Sequence, residues 1–363
     1  SAKPTSSTVL INGEKVPFGA YNISDSNYFK LRDLAFALNG TEKQFSVEYD
    51  EAANVITLTS GAAYTPVGGE MQGAGTGAKA PYPTGSKVTL DGKEVGFTAY
   101  AIAGNNYFKL RDIGVAFDFG VNWDGAKNSI VIDTSKAYTP DNGTITIAGR
   151  EISIDAATLN LDTHHNITDI TPLRYLTKLT RLQLASNKIS DLTPLKSLTE
   201  LSELFLTYNS ISDVTPLQSL TKLTTLYLDH NNISDVAPLQ SLTNLTMLNL
   251  GSNSISDIAP LQSLTELGLL CLDNNIILSD ITPLQSMTDM QKLYLNNNNI
   301  SDITPLKPMT KLRWLWLGEN NIRDVTLLKS LTNLEWLNLV GNPLTPQQIN
   351  DLQRALPRCK IEF

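Results

Sequence analysis

Leu182-Gln-Leu-Ala-Ser-Asn-Lys-Ile-Ser-Asp-Leu-Thr-Pro-Leu195 is one copy of a pattern that recurs throughout the second half of the chain. The aspartate before the Thr-Pro pair returns every 22 residues, and a single step, from Asp257 to Asp280, is 23 residues long. A repeat this short buries too little apolar surface to fold alone, so neighbouring repeats must stack. Stacking predicts one long parallel sheet with a face open to solvent, and a ligand is to be sought on that face.

The internal spacing of the repeat predicts its local geometry. Two leucines, such as Leu226 and Leu228, are separated by one residue, so both point inward from a short strand while the residue between them points outward. The asparagine three positions later, such as Asn231, is predicted to be structural, because a stacked column of amides can pair the backbone groups of a buried bend. On the opposite side, Thr before Pro predicts the N-cap of a short helical turn. Ala237 and Ala259 lack that hydroxyl, and the sequence leaves open whether a nearby aspartate compensates.

The period, the leucine spacing and the asparagine together are typical of a leucine-rich-repeat solenoid, an α/β fold in which a parallel β-sheet horseshoe carries short convex helical turns. The Asn-x-Ile-Ser-Asp-Ile-Thr-Pro-Leu form resembles the 22-residue repeats of internalin-type bacterial surface proteins over about Leu159 to Pro346. We expect this domain to span residues 141–363. Residues 143–157 are predicted to form an N-terminal β cap, in place of the helical cap of internalins, and residues 345–363 a C-terminal cap of helix and strand.

The first third of the chain contains a different duplication. Asn27-Tyr-Phe-Lys-Leu-Arg-Asp-Leu34 returns as Asn106-Tyr-Phe-Lys-Leu-Arg-Asp-Ile113, at an offset of 79 residues. Short alternating runs around Asn12-Gly13 and Asp91-Gly92 predict hairpins, and the segments after them predict a short helix and a second hairpin. Each copy is therefore predicted to form a hairpin, a helix and a hairpin.

The Tyr-Phe-Lys-Leu-Arg-Asp block resembles the copper amine oxidase N-terminal-like stalk domain of Gram-positive secreted proteins. The resemblance implies an α+β stalk domain over residues 8–140, with copies at 8–60 and 87–134. It does not imply copper chemistry, because that chemistry needs a separate catalytic domain with three histidine ligands, and none of the three histidines of this chain lies in the stalk. The Gly- and Pro-rich residues 61–86 are predicted to form a flexible linker.

Composition excludes several classes of protein. At 363 residues the chain is too long for one ordinary core, and its net charge of -8 argues against binding to nucleic acid through phosphate neutralisation. No apolar run approaches the roughly 18 residues of a membrane span. Cys271 and Cys359 are the only cysteines, which rules out a disulfide scaffold. The start at Ser1 is typical of a trimmed chain, from which a signal peptide has been removed. The resemblances to internalins and to the stalk domain of secreted proteins imply an extracellular or cell-surface location.

The residues that point outward from the predicted strands include an excess of aromatic side chains. Three of the four tryptophans gather with Tyr294 on the last repeats, where the core does not require them. Trp and Tyr are favoured in interface hot spots, although the same rings can instead stabilise a sheet by cross-strand stacking. Acidic side chains on this face favour a partner with some positive charge. The candidate ligand-binding residues are Glu203, Phe205, Tyr227, Asp229, Asp273, Lys292, Tyr294, Trp314, Trp316 and Trp336.

These observations favour a secreted or cell-surface bacterial binding or adhesion protein whose concave face docks a protein, from the host or from a bacterial surface. The alternative is a cell-wall-associated structural protein that binds envelope or host glycans, since aromatic platforms also suit sugar rings. The sequence offers no nucleophile, acid-base set or cofactor motif, so neither enzyme activity nor a cofactor is expected. His164-His165 has no carboxylate or thiolate partner nearby in sequence, and no metal site is predicted there.

Overall fold

The computed structural model describes residues 1–140, 143–162 and 166–363 of the protein. The chain divides into two compact units, Ser1–Asp141 and Asn142–Phe363, which we call the N-terminal unit and the solenoid unit. His164 and His165 lie outside the described residues. In the part of the chain that is described, every helix is too short or too polar to cross a membrane.

Short strands and two helices build the N-terminal unit. Each helix begins directly after an extended lysine, and apolar residues at helical spacing, such as Leu31 and Leu34, are buried. The strands are β1 (Lys3–Pro4), β2 (Thr8–Ile11), β3 (Glu14–Val16), β4 (Tyr21–Ile23), β5 (Ser26–Phe29), β6 (Phe45–Asp50), β7 (Val55–Ser60), β8 (Tyr82–Pro83), β9 (Lys87–Leu90), β10 (Lys93–Glu94), β11 (Ala99–Ile102), β12 (Asn105–Lys109), β13 (Gly120–Asp124) and β14 (Ser129–Asp133). The helices are α1 (Leu31–Ala37) and α2 (Leu110–Phe117).

The two sequence copies exchange hairpins rather than folding side by side. A six-stranded sheet runs β1-β4-β5-β12-β11-β8, and β5 of the first copy pairs with β12 of the second near its centre. A second sheet, β10-β9-β7-β6, joins the first hairpin of the second copy to the last hairpin of the first copy. A third sheet, β13-β14-β2-β3, makes the reciprocal pairing. Each copy therefore completes the sheets of the other.

Each copy also contains a hairpin that the hairpin-helix-hairpin prediction omits. β4 and β5 pair antiparallel, and the turn between them holds Ser24 and Asp25 at φ angles of 45° and 60°. In the second copy, β11 and β12 are joined in the same way through Ala103 and Gly104. Two successive positive φ angles are typical of a type I′ turn, for which Asn-Gly is the usual sequence. Ser-Asp and Ala-Gly give a weaker signal, so local pattern does not reveal this hairpin.

The segment at residues 61–86, predicted to be a flexible linker, makes defined contacts with the rest of the N-terminal unit. The Tyr21 hydroxyl donates a hydrogen bond to the Ala74 carbonyl at 2.6 Å. The segment also passes so close to Gly19 that a Cβ at this position would lie 2.2 Å from the carbonyl oxygen of Gln72. The structure thus differs from the expectation drawn from composition, because long-range hydrogen bonds offset part of the cost of ordering a Gly- and Pro-rich chain.

One short strand per repeat builds the solenoid unit. Its strands are β15 (Thr144–Ile147), β16 (Arg150–Ser153), β17 (Thr158–Asn160), β18 (Arg181–Gln183), β19 (Glu203–Phe205), β20 (Thr225–Tyr227), β21 (Met247–Asn249), β22 (Leu269–Cys271), β23 (Lys292–Tyr294), β24 (Trp314–Trp316), β25 (Trp336–Asn338) and β26 (Lys360–Glu362). β17 to β26 form a ten-stranded sheet of parallel, in-register neighbours. The paired leucines, such as Leu226 and Leu228, are fully buried and belong to one continuous core. The predicted leucine-rich-repeat solenoid is confirmed.

The convex side carries one 3-10 helical turn in each repeat. The turns are Thr171–Tyr175, Thr193–Ser197, Thr215–Ser219, Ala237–Ser241, Ala259–Ser263, Thr282–Ser286, Thr304–Leu306 and Thr326–Ser330. The predicted threonine N-cap is wrong, because the threonine is the first residue of the turn and the aspartate two positions earlier accepts its backbone N–H. Asp235 accepts the N–H of Ala237 in the same way at 2.8 Å. Asp257 accepts the N–H of Ala259, also at 2.8 Å. The aspartate therefore caps the turn in the repeats where alanine replaces the threonine as well.

The stacked asparagines have the structural role that the sequence predicts. The amide nitrogen of Asn231 donates to the carbonyls of Leu206 and Leu228, in both cases at 3.0 Å. Its amide oxygen accepts the backbone N–H of Ile211 at 3.0 Å. Each asparagine thus ties the bend of its own repeat to the preceding repeat.

Both ends of the solenoid are covered. The β15-β16 hairpin places Ile145 and Ile147 against the first repeat, in the core. At the other end, helix α3 (Pro346–Ala355) follows a capping box in which Thr345 and Gln348 bond each other's backbone. β26 then adds the last strand to the sheet. The hairpin at one end and the helix and strand at the other close the apolar edges that a solenoid otherwise exposes.

Candidate binding surface on the concave face

The in-register sheet places outward side chains in columns across the concave face. Tyr294 of β23 lies beside Trp316 of β24, and Trp314 of β24 lies beside Trp336 of β25. Their orientation follows from the strand itself, since the buried leucines alternate with them and successive residues point to opposite faces. We call Tyr294, Trp314, Trp316 and Trp336 the aromatic cluster. All four side chains are only partly buried, so each ring has a surface in solvent.

Ring contacts hold the aromatic cluster together. Tyr294 and Trp316 meet edge to face, with ring centroids 5.2 Å apart. Trp314 and Trp336 are tilted against each other at 6.4 Å. Aromatic pairs of this kind contribute about 0.5–1.5 kcal/mol beyond their buried area. The cluster therefore stabilises the sheet, as the stacking alternative holds, and it also presents an apolar surface.

Two lysines lie at the ends of the Trp314–Trp336 pair. The ammonium nitrogen of Lys292 lies 4.4 Å from the centre of the Trp314 ring, and that of Lys360 lies 3.7 Å from the Trp336 ring. Lys360 is not among the residues predicted from the sequence, because its place beside Trp336 depends on the register of the terminal strand. Its ammonium group also pairs with Glu362 at 3.2 Å. Cation-π attraction thus borders the cluster with positive charge.

Two indole N–H groups in the aromatic cluster have no hydrogen-bond acceptor. The Nε1 atoms of Trp316 and Trp336 are shielded from solvent and unpaired. A buried donor without a partner costs about 1–3 kcal/mol. Phenylalanine would stack at both positions without this cost, so ring stacking by itself does not account for tryptophan here.

A smaller aromatic pair lies nearer the start of the concave face. Phe205 and Tyr227 meet edge to face at 5.3 Å, and the guanidinium of Arg181 lies 4.9 Å from the Phe205 ring. Arg181 also forms an ion pair with Glu203. Glu203, a predicted contact for a positively charged partner, is therefore already paired within the sheet. Strands β21 and β22 separate this pair from the aromatic cluster, so the candidate residues form two groups rather than one.

Partly buried acidic groups lie between the two groups of rings. Asp273 accepts the backbone N–H of Asn296 at 2.6 Å, and burial raises the pKa of its carboxyl to about 6. Asp229 accepts the Thr207 hydroxyl at 2.7 Å. Burial and the nearby Asp273 carboxylate raise the pKa of the Cys271 thiol to about 12, so this thiol stays protonated at neutral pH. The middle of the concave face thus carries negative charge but no activated nucleophile.

Asp273 is expected to make the solenoid less stable as pH rises from about 4 to 7. Its pKa is raised from 3.8 to about 6 in the folded protein, so over this range the folded state keeps a proton that the unfolded chain has lost. The contribution of Asp273 protonation to the free energy of unfolding is on the order of 3 kcal/mol. It is fully present below about pH 4 and is lost as pH rises through about 6. Asp273→Asn keeps an acceptor for the Asn296 N–H and has no such titration.

Denaturant unfolding of the wild type and Asp273→Asn at several pH values measures this effect. The stability of the variant relative to wild type should increase steadily between about pH 4 and pH 7. A difference that stays constant over that range would contradict the prediction.

The structure adds an aromatic pair that the sequence analysis does not single out. Tyr208 and His230 stack with centroids 3.9 Å apart and an interplanar angle of 24°. Both have positive φ, 54° and 55°, just past the ends of β19 and β20, and Tyr208 is 55% exposed. His230 also lies 3.1 Å from the Asp229 carboxylate. A ring at the same position of two successive repeats, 22 residues apart, is the signal that reveals this pair in the sequence.

The chemistry of the concave face suits recognition by packing and hydrogen bonding. Across residues 1–140, 143–162 and 166–363, no three His, Cys, Asp or Glu side chains come together as a metal site. The face instead combines partly exposed rings, unpaired indole donors and lysines at one end. Of these groups, the Trp and Tyr rings are the kind that is enriched at protein interfaces.

Comparisons with known proteins find likeness within the solenoid unit. A family model of two leucine-rich repeats matches residues 199–241 and 221–265, and a leucine-rich-repeat model matches residues 288–344. Among curated proteins, none matches the chain. The crystal structure of internalin C2 from Listeria monocytogenes is 37% identical over 55% of this chain and 87% of its own, with a TM-score of 0.50. A leucine-rich-repeat protein of Leptospira interrogans is 26% identical over 56% of this chain and 60% of its own, with a TM-score of 0.51.

Proposed function

This chain belongs to the internalin-like leucine-rich-repeat proteins, and from that premise we propose that it is a secreted or surface-displayed bacterial protein whose concave face binds a protein partner. Adhesion to a host or bacterial surface is the role that such binding serves. The N-terminal unit, in this proposal, is the stalk that holds the solenoid unit away from the cell. The exchange of hairpins between its two copies supports that role, because an interlocked unit resists being pulled apart one copy at a time.

The aromatic cluster carries the proposal. It gathers partly exposed Trp and Tyr rings at one end of the concave face, on a sheet that holds them in place. Such rings bury a large apolar area with few rotatable bonds, which explains their abundance in interface hot spots. Trp316 and Trp336 also bring two indole N–H donors that are unpaired in the free protein. Pairing those donors in the complex would recover the cost of leaving them unpaired in the free protein.

The charges around the aromatic cluster indicate the kind of surface that fits it. Lys292 and Lys360 lie at two of its edges. Asp229 and Asp273 lie further toward the middle of the concave face. A partner with acidic side chains opposite the lysines, and with basic side chains or hydrogen-bond donors opposite the aspartates, would match this pattern.

Affinity capture tests the proposal. The 363-residue chain is the bait, and the samples are a surface-protein extract and, separately, a purified cell-wall polysaccharide. Trp316→Ala removes a ring on the middle strand of the aromatic cluster. Tyr82→Ala is the control, because it removes a ring of the N-terminal unit that is 67% exposed. We expect one or more proteins to be retained by the wild type and by Tyr82→Ala, and to be lost with Trp316→Ala.

Two other outcomes count against the proposal. Retention of the polysaccharide alone, in a manner that depends on Trp316, would favour the alternative of a cell-wall-associated structural protein. Retention of proteins that is the same for Trp316→Ala and the wild type would place the binding surface elsewhere on the molecule.

A further inference from the structure

The N-terminal unit contains two cavities that its sequence duplication relates to each other. The first cavity has a volume of about 660 Å³, and its lining includes Asp25, Asn27, Lys109, Arg111 and Trp123. The second cavity has a volume of about 580 Å³, and its lining includes Lys30, Arg32, Glu48, Tyr49 and Asn106. Volumes of this size are in the range of small-molecule sites in proteins.

The two cavities use equivalent residues. Asn27 corresponds to Asn106 and Arg32 to Arg111, each pair at the offset of 79 residues, while Tyr49 and Trp123 are 74 residues apart in the equivalent hairpins β6-β7 and β13-β14. Each cavity therefore has an amide from one copy, a Lys and an Arg from the other copy, and an aromatic ring from the hairpin that follows them.

The exchange between copies explains why each cavity needs both of them. β5 and β12 run antiparallel, with Lys109 opposite Tyr28. This register brings the start of β5, with Asn27, to the start of helix α2, with Arg111. By the same pairing Asn106 reaches the start of helix α1. Neither cavity would exist if the copies folded separately.

The rings in the two cavities are about half exposed, although each also contacts its own hairpin, where Tyr49 donates a hydrogen bond to Asn54 at 3.1 Å and Trp123 lies opposite Ile130. Trp123 is 50% exposed and Tyr49 is 55% exposed, whereas the core of the unit consists of other, fully buried rings such as Phe29 and Phe108. An exposed ring beside polar groups in a cavity offers a flat surface on which another ring can stack. Its repetition at both equivalent places indicates a function in binding.

The amides in the cavities are held in fixed orientations by equivalent hydrogen bonds. The side-chain oxygen of Asn27 accepts the Thr5 hydroxyl at 3.3 Å, and that of Asn106 accepts the Thr84 hydroxyl at 2.8 Å. The amide nitrogen of Asn106 also donates to the Ser86 hydroxyl at 3.3 Å. A polar group held in this way loses little freedom when it binds a ligand.

We propose that the two cavities are a pair of equivalent sites for an anionic glycan, whose sugar units carry carboxylate or phosphate groups. The apolar face of a sugar ring stacks on Trp123 or Tyr49, and the amides and the carboxylates of Asp25 and Glu48 bond sugar hydroxyls. The guanidinium groups of Arg111 and Arg32 pair with the acidic substituents, because they suit carboxylate and phosphate oxygens, whereas Lys30 already pairs with Asp33 at 3.9 Å. This proposal concerns the N-terminal unit and does not depend on the function proposed for the concave face.

Isothermal titration of the 363-residue chain with short oligosaccharides tests this assignment. The probes are a hyaluronan tetrasaccharide, which carries carboxylates, a short oligomer of N-acetylglucosamine 1-phosphate, whose sugar rings are linked through phosphates, and chitotetraose, which is neutral. We expect an anionic probe to bind at two sites per chain and at least about tenfold more tightly than chitotetraose, which is a difference of about 1.4 kcal/mol. The anionic probe that binds more tightly identifies the source of the charge.

Single substitutions in each cavity show which cavity holds each binding site. Trp123→Ala and Tyr49→Ala should each reduce the stoichiometry from two sites to one, and the double variant should abolish binding. Tyr82→Ala, which removes an exposed ring outside both cavities, should keep both sites. Arg111→Gln and Arg32→Gln are the second pair of variants, used if the loss of a ring impairs folding, and each should weaken one site for the anionic probe by at least about tenfold.

Three results would overturn the assignment: no heat of binding with either anionic probe, binding of chitotetraose as tight as that of the anionic probes, or binding that both pairs of variants leave unchanged. Trp316→Ala should leave glycan binding as it is in the wild type. A failure of the glycan assignment is therefore distinguishable from a failure of the protein-binding proposal for the concave face.

Discussion

Asn231→Ala is expected to lower the free energy of unfolding of the solenoid by about 3 kcal/mol or more. Asn231 is 8% exposed, and its amide makes hydrogen bonds to the backbone of Ile211, Leu206 and Leu228. The amide also donates to the Asp229 carbonyl at 3.3 Å. Alanine removes all of these bonds at once and leaves one N–H and three carbonyls without their side-chain partner. Each buried polar group left unpaired costs about 1–3 kcal/mol, so even partial hydration leaves a large loss.

The neighbouring Asn232 provides a matched control for this prediction. It is exposed, and the same substitution there removes an amide of the same size from the same repeat. Thermal and denaturant unfolding of the two variants should show a clear loss of stability for Asn231→Ala and a change within about 0.5 kcal/mol for Asn232→Ala. Equal losses for both variants would show that the asparagine column does not hold the repeats together.

Hydrogen exchange shows which repeats Asn231→Ala destabilises. In a solenoid each repeat contacts only its neighbours, so weakening one repeat should increase exchange most at the adjacent repeats. The Ile211 amide, which donates to Asn231, should be among those that lose protection. Loss of protection spread evenly over the whole solenoid unit would argue for global unfolding instead.

Trp316→Ala is expected to weaken binding of the protein partner by about 30-fold or more, which is about 2 kcal/mol. Trp316 lies on β24, the middle one of the three strands that carry the aromatic cluster, beside Tyr294 on one strand and Asn338 on the next. Truncation at the centre of an interface removes apolar contact and also opens the neighbouring ring to water. The measurement is the dissociation constant of the partner retained in the capture experiment, for wild type and variant.

Trp316→Phe separates binding from sheet stability. Phenylalanine keeps the edge-to-face contact with Tyr294 and removes the unpaired N–H, so the stability of the free protein should be equal to that of the wild type or higher. Affinity for the partner should fall, because the lost donor and the smaller ring matter in the complex. A variant that loses stability but keeps full affinity would show that the ring serves the sheet and not a partner.

The solenoid unit could be predicted from sequence in detail, because its contacts are nearly local. The environment of Leu226 recurs 22 residues later around Leu248, so the same pattern specifies the same fold at each step. The terminal caps follow from local signals as well, since Thr345, Pro346 and Gln348 carry a helix start in their own sequence. Only the cap of the convex turns differs, where the aspartate takes the role predicted for threonine.

The strand pairing of the N-terminal unit could not be predicted from the sequence. Its helices and most of its hairpins have local signals, but nothing in Thr8–Ile11 indicates that the strand will pair with Ser129–Asp133 at the far end of the unit. Internal duplication makes two arrangements equally compatible with the pattern, one with each copy folded alone and one with hairpins exchanged. The choice between them depends on the packing of the complete unit, and the two cavities exist only in the exchanged arrangement.

By itself, the sequence determined the solenoid, the strand of each repeat and the side chains that point out of its concave face, because alternation along a strand is a local property. Only the tertiary structure decided what those side chains meet. It paired Glu203 with Arg181, set Lys360 against Trp336, and left the indole N–H groups of the cluster without acceptors. The physical reason is that ion pairs, ring contacts and unpaired donors depend on strand register and on side-chain rotamers. Both are set by the packing of several repeats against one another, and the repeat period in the sequence does not specify that packing.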